Sequence, residues 1–227
     1  MKKRLAAQIL VLYICLSCEP PTEELRADYS YFPLETGLFV EYQVRESHYS
    51  VAGPARETTY YLKERCGDTF QTHNGGEHVR IERFRKNSPT AAWLPDSVWS
   101  ARLLPDRAIR TENNRAFIKL IFPLTSQTTW NGNALNELPS ELYKANFETE
   151  NLSGFESSLP RPLTVVQRQD SSIISLYRKS EQYAPGIGLI YRENTALEYC
   201  QEPSCLGSGR INSGHRKIQQ MVAYGKE

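Results

Sequence analysis

The chain has 227 residues, of which 40% are hydrophobic and 11% aromatic, with a formal net charge of +1. This composition is too apolar for a disordered chain. Its basic residues are interleaved with acids and form no cationic face, which argues against nucleic acid as a partner. The length suits one domain of the larger all-β kind and is thin for two.

The start of the chain is tripartite. Basic Lys2, Lys3 and Arg4 precede an apolar stretch from Leu5 to Leu16 broken only by Gln8, and small Ser17 stands before Cys18. That is the pattern of a secretory signal. As a helix the apolar stretch reaches about 18 Å, short of a hydrocarbon core of roughly 30 Å, so it does not read as a permanent span. Ile14-Cys15-Leu16-Ser17-Cys18 resembles the lipobox of bacterial lipoproteins, and the resemblance implies that Cys18 carries a thioether-linked diacylglycerol. The predicted organisation is a signal over 1–17, an anchor tether over 18–30 and one β-rich domain over 31–227. Glu19 to Asp28, with Pro20, Pro21 and further acids, reads as a flexible tether. Without the three leader cations, 24 of the 27 basic residues face 26 acids, a mature net charge of −2. The expected location is the cell envelope, with the outer membrane favoured.

From Gly37 onward short alternating runs are separated by turn residues, which predicts antiparallel β structure with little helix. Val40, Tyr42 and Val44 alternate with Phe39, Glu41, Gln43 and Arg45. After Gly53-Pro54, Tyr60, Leu62 and Glu64 alternate with Thr59, Tyr61 and Lys63, and Val79, Ile81 and Arg83 alternate with Arg80, Glu82 and Phe84. The nearly unbroken apolar run of Phe117, Ile118, Leu120, Ile121 and Phe122 predicts a strand near the middle of the sheet. Asn131-Gly132 predicts a turn, and the indole nitrogen of Trp130 needs a partner if the ring packs. Leu163–Gln169, Ser172–Tyr183 and Gly188–Tyr199 follow, with a short helix as the alternative to a strand for the middle segment. Arg210–Gly225 reads as a strand pair turning at Ser213-Gly214. The fold class expected is a twisted antiparallel sheet forming an open barrel or a sandwich.

Tyr31-Phe32-Pro33-Leu34, Lys119-Leu120-Ile121-Phe122-Pro123-Leu124 with Trp130-Asn131-Gly132-Asn133, and Tyr183-Ala184-Pro185-Gly186-Ile187-Gly188-Leu189-Ile190-Tyr191 form a set. Together they are similar to a family of secreted or lipid-anchored proteins of Bacteroidetes-type bacteria. The resemblance implies compartment and β architecture, not an activity.

Outside the leader, Cys66, Cys200 and Cys205 remain beside Cys18. Cys200 and Cys205 flank a turn-like Gln201-Glu202-Pro203-Ser204, short enough for a disulfide, and this pairing is preferred over one with Cys66. Their spacing is wrong for a thioredoxin-like pair and lacks further ligands for zinc. His48, His73, His78 and His215 form no metal-binding motif, although His73 and His78 could meet across Asn74-Gly75-Gly76. Activated-serine, dinucleotide and phosphate-loop signatures are absent, so no catalytic residue, metal or cofactor is assigned. Two acids could still face each other across a cleft. Asn151-Leu152-Ser153 fits a glycan acceptor but reads as incidental in a bacterial chain. The leading expectation is a non-enzymatic envelope lipoprotein that binds a partner or serves assembly. The rival is a carrier whose open barrel holds an acyl chain or other hydrophobic ligand in an apolar cavity of several hundred Å³. A hydrolase ranks last.

Overall fold

The computed structural model describes residues 29–73, 76–126, 128–147 and 162–227. The signal, most of the tether including Cys18, Asn74-Gly75 and the glycan-like Asn151-Leu152-Ser153 lie outside the described residues.

Twelve strands form one antiparallel sheet: β1 (Leu38–Ser50), β2 (Gly53–Gln71), β3 (Glu77–Lys86), β4 (Leu94–Leu104), β5 (Arg107–Glu112), β6 (Arg115–Ile121), β7 (Thr129–Asn131), β8 (Leu142–Asn146), β9 (Leu163–Ser171), β10 (Ser175–Ala184), β11 (Gly188–Tyr199) and β12 (Ile211–Lys226). Their order is β6-β5-β4-β3-β2-β1-β12-β11-β10-β9-β8-β7. Because β1 pairs with β12 and the two sheet ends, β6 and β7, are consecutive in the chain, this is an up-and-down meander curled into a nearly closed barrel.

Among the described residues the seam between β6 and β7 has no ladder, and three hydrogen bonds to backbone carbonyls cross it. The Ile118 amide donates to Gly132 O at 3.0 Å, the Trp130 indole N–H donates to Ile118 O at 2.9 Å, and Asn136 Nδ2 donates to Ala116 O at 2.8 Å. Trp130 thus uses its side chain where a sheet would use backbone, and its indole finds a partner. Glycine is required at position 132 because a Cβ there would stand 2.2 Å from the Tyr143 ring. The strand expected near mid-sheet, β6, is therefore a sheet end. It is still buried, since the seam covers it: Ile118 and Leu120 are 4% and 0% exposed.

The period-two readings of β1, β2 and β3 hold. Val40, Tyr42 and Val44 share the inner face with Leu62, Glu64 and Arg83, while Glu41, Arg45, Lys63, Arg65 and Glu82 face outward. Outward Arg65 pairs with Glu82 at 2.6 Å and Lys63 with Glu41 at 4.0 Å. A charged outer ladder at mid-strand is unlike the apolar belt of a transmembrane barrel. Among the described residues no helix is long and apolar enough to cross a membrane.

The segment left between strand and short helix is the strand β10, whose Lys179, Glu181 and Tyr183 point one way along an extended backbone. The segment read as a strand pair is the single 16-residue β12. Gly214 does not turn; its φ of +128° lets β12 lie against Ala196 O, which a Cβ would meet at 2.1 Å. Met221 from this strand is buried, whereas Val222 and Tyr224 are exposed.

All connections from odd to even strands lie at one end of such a meander, the upper end. The other connections and both ends of the described domain lie at the lower end. Residues 29–34 close that lower end: Tyr29 OH donates to Pro105 O at 2.9 Å, Gly186 N to Ser30 O at 2.8 Å, and Tyr31 and Phe32 are buried.

Candidate functional site

Apolar side chains fill the lower lumen, among them Tyr42, Leu120, Leu163, Val165 and Ile190, but the middle is crossed by charges. Glu64 of β2 accepts from Arg83 Nε of β3 at 3.1 Å and from Arg110 Nη2 of β5 at 2.5 Å. Both guanidiniums lie over the Trp99 ring, at 3.7 and 4.9 Å from its centroid, and Arg83 also reaches Asp96 at 3.2 Å. Glu112 of β5 stands 3.7 Å from Arg110, 3.3 Å from Lys119 of β6 and 2.9 Å from Arg192 of β11. Lys119 and Arg192 both reach Glu181 of β10, at 2.7 and 2.8 Å, and Tyr183 OH donates to the same carboxylate at 2.6 Å.

Four cations thus meet four carboxylates in one chain of contacts. β5 and β11 are six strands apart in the ring, so Arg192–Glu112 spans the lumen. Lys119 and Glu181 keep 5% and 2% side-chain exposure, while Arg192 and Glu112 keep 19% and 15% and form the wetter side.

Burial pushes the Glu112 carboxyl up, but Arg192, Lys119 and Arg110 outweigh it and hold it far below the usual carboxylate range. Burial is likewise overcome at Glu181 by Lys119 and Arg192, which bring it down to about 2, and at Glu64 by Arg110 and Arg83. Tyr42 and Tyr183 are raised well above an ordinary phenol, first by burial and then by Glu64 and Glu181 respectively. Two carboxylates do face each other, then, but they share the same two cations and both stay ionised. Neither is arranged as a proton donor, which an acid and base pair would require.

A second polar cluster lies above the first: Lys217 contacts Glu46 at 2.7 Å and Tyr60 OH at 3.0 Å, with Arg85 stacked 3.8 Å over the Tyr60 ring. Below the first cluster is a cavity of about 70 Å³ between Phe32, Leu38, Ile81 and Leu189, bounded above by Glu64 and Arg110. A larger concavity of about 550 Å³ on the outer wall around β4 is open and lined about equally by polar and apolar surface, with Phe70, Val98 and Trp99 beside Arg80, Asn113 and Asn114.

No family model, curated protein or solved structure matches this chain. The site is read from its own geometry.

Cys200 and Cys205 are joined by a disulfide, with Cα atoms 5.8 Å apart, in the loop between β11 and β12. Glu202 lies within 4.8 Å of both sulfurs, but bonded sulfurs offer no thiolate to a metal. Cys66 is the free cysteine among the described residues, and burial pushes its thiol up to about 11. His78 packs against Phe70 with centroids 5.6 Å apart, and His73 is exposed on the strand-end turn. His48 and His215, far apart in sequence, are direct neighbours across β1 and β12.

The lumen network escaped sequence reasoning, which singled out none of its residues. A signal was present: Glu64 continues the inward stripe of Tyr60 and Leu62, and Arg83 that of Val79 and Ile81. A charge in register with an apolar stripe points inward with it.

Proposed function

We propose that this chain is a lipid-anchored protein of the bacterial cell envelope, acting as a non-enzymatic binding or assembly module rather than as a carrier. The observation that carries the second half is the cross-lumen network, which occupies the space an acyl chain would need and leaves a cavity of about 70 Å³ beneath it. A buried ligand of drug or lipid size needs several hundred Å³. The ion pairing of Glu112 and Glu181 likewise speaks against that pair as the acid and base of a hydrolase.

The first half rests on the tripartite leader, on Cys18 in its lipobox-like setting, and on the similarity of the three motifs to secreted or lipid-anchored Bacteroidetes-type proteins. Outer-membrane attachment through Cys18 is the expected arrangement, since two or three acyl chains anchor stably where one does not. Metabolic labelling with an acyl precursor tests it. Label should enter the wild-type chain and be lost in Cys18→Ala; label retained by that variant would overturn the assignment.

A further inference from the structure

We infer that the upper end of the barrel is a rim that inserts into a bilayer surface. Four of the six upper hairpins present exposed aliphatic side chains: Val51 between β1 and β2 (82% exposed), Leu94 at the start of β4 (65%), Ile173 and Ile174 between β9 and β10, and Leu206 between β11 and β12. Single exposed apolar residues need no explanation, but their recurrence on separate tips at one end does. Phe70, Val98, Val222 and Tyr224, also exposed, lie on the outer wall or toward the other end.

Charge separates a lipid partner from a protein one. Segments 49–55, 87–95, 171–176 and 203–209 contain no Asp, Glu, Lys or Arg in a chain that is 23% charged. Ser, Gly, Pro and Asn fill the spaces between the aliphatics, and Trp93 adjoins Leu94, a residue suited to the membrane interface. The aliphatics are dispersed around a ring whose centre is the polar upper lumen, so they supply no continuous apolar core of the kind a protein interface uses. A bilayer accepts separate uncharged wedges, and the lack of charge suits a zwitterionic one.

The direction in which the rim points, though not its binding, rests on the anchored reading proposed above. Residue 29 leaves the lower end, and the ten residues Glu19 to Asp28 span at most about 35 Å. The 13 residues of β1, at about 3.3 Å each and tilted about 40°, raise the rim by about 33 Å. Turning the rim back onto the anchoring bilayer would need the tether fully extended, whereas a relaxed tether leaves the rim facing an opposed bilayer.

Flotation of the mature chain, residues 19–227, which carries neither the apolar leader nor the acylated Cys18, with phosphatidylcholine vesicles tests this. The chain should float with the vesicles, and added salt should not release it. Ile173→Ser/Ile174→Ser/Leu206→Ser should lower the partition coefficient about tenfold or more, since each buried aliphatic is worth roughly that factor. Val222→Ser/Tyr224→Ser should leave it unchanged, with circular dichroism confirming that both variants fold. No flotation, flotation unaffected by the rim substitutions, or equal loss in the Val222→Ser/Tyr224→Ser variant would each overturn the rim. So would a protein partner captured by the rim in the absence of vesicle binding. Acyl labelling at Cys18 is read separately, so a failed anchor and a failed rim are distinguishable.

Discussion

Arg192 on β11 reaches across the barrel to Glu112 on β5, guanidinium to carboxylate at 2.9 Å, and so ties together two strands on opposite sides of the ring. Lys119 and Glu181 repeat the tie between β6 and β10 at 2.7 Å. Removing one partner of such a network leaves charges buried without compensation, which costs more than the intact pair contributes.

Glu112→Gln should therefore lower the unfolding free energy by about 3 kcal/mol or more, because Arg110, Lys119 and Arg192 all lose charge compensation. Urea unfolding of the variant beside wild type measures it, and a change within about 0.5 kcal/mol would show that the network carries no strain on stability.

The network also sets an acid limit. Glu64, Glu112 and Glu181 all have folded-state values below the ordinary glutamate value of about 4.3, Glu181 reaching about 2. Depressed carboxyls contribute stability that is complete above the unfolded value and is lost as pH falls through the folded one. Stability should drop by at least about 2 kcal/mol between about pH 7 and about pH 3. The drop should be shallower in Glu112→Gln, as pH-dependent urea unfolding would show.

The seam makes a local prediction. Gly132→Ala places a methyl into the Tyr143 ring and should destabilise by about 1–3 kcal/mol. The Ile118 amide, which donates to Gly132 O, should exchange its hydrogen faster in this variant while amides in the β1–β12 ladder keep their protection.

Cys66 should be an unreactive thiol. With its value pushed up to about 11 by burial, alkylation near neutral pH should run about a hundredfold slower than that of free cysteine. The rate should climb only as pH approaches that value. Iodoacetamide kinetics in a Cys15→Ser/Cys18→Ser chain would measure this without interference from the leader.

The strands of the first half were legible because their apolar stripe is strict: Tyr42 and Val44 of β1 line up with Leu62 and Tyr60 of β2. What was not legible depends on partners distant in sequence. Arg110 and Glu64 are 46 residues apart, Lys119 and Glu181 are 62, and Arg192 and Glu112 are 80. Each of these residues, read alone, belongs in water; only ring closure shows that each has an opposite charge waiting inside. β10 did not read plainly as a strand for a related reason, since its inward face carries Lys179 and Glu181 and so lacks the apolar alternation that marks one. Closure itself depends on β1 meeting β12, a pairing of chain ends that local pattern does not reveal.

Native mass spectrometry of the purified Cys18→Ser chain, followed by lipid extraction, tests the central claim most directly: that the lumen is occupied by the protein's own charges. The account predicts the bare polypeptide mass with no retained lipid. A stoichiometric acyl-chain adduct that survives purification would contradict it, because such a ligand fits only if Arg192–Glu112 and Lys119–Glu181 come apart.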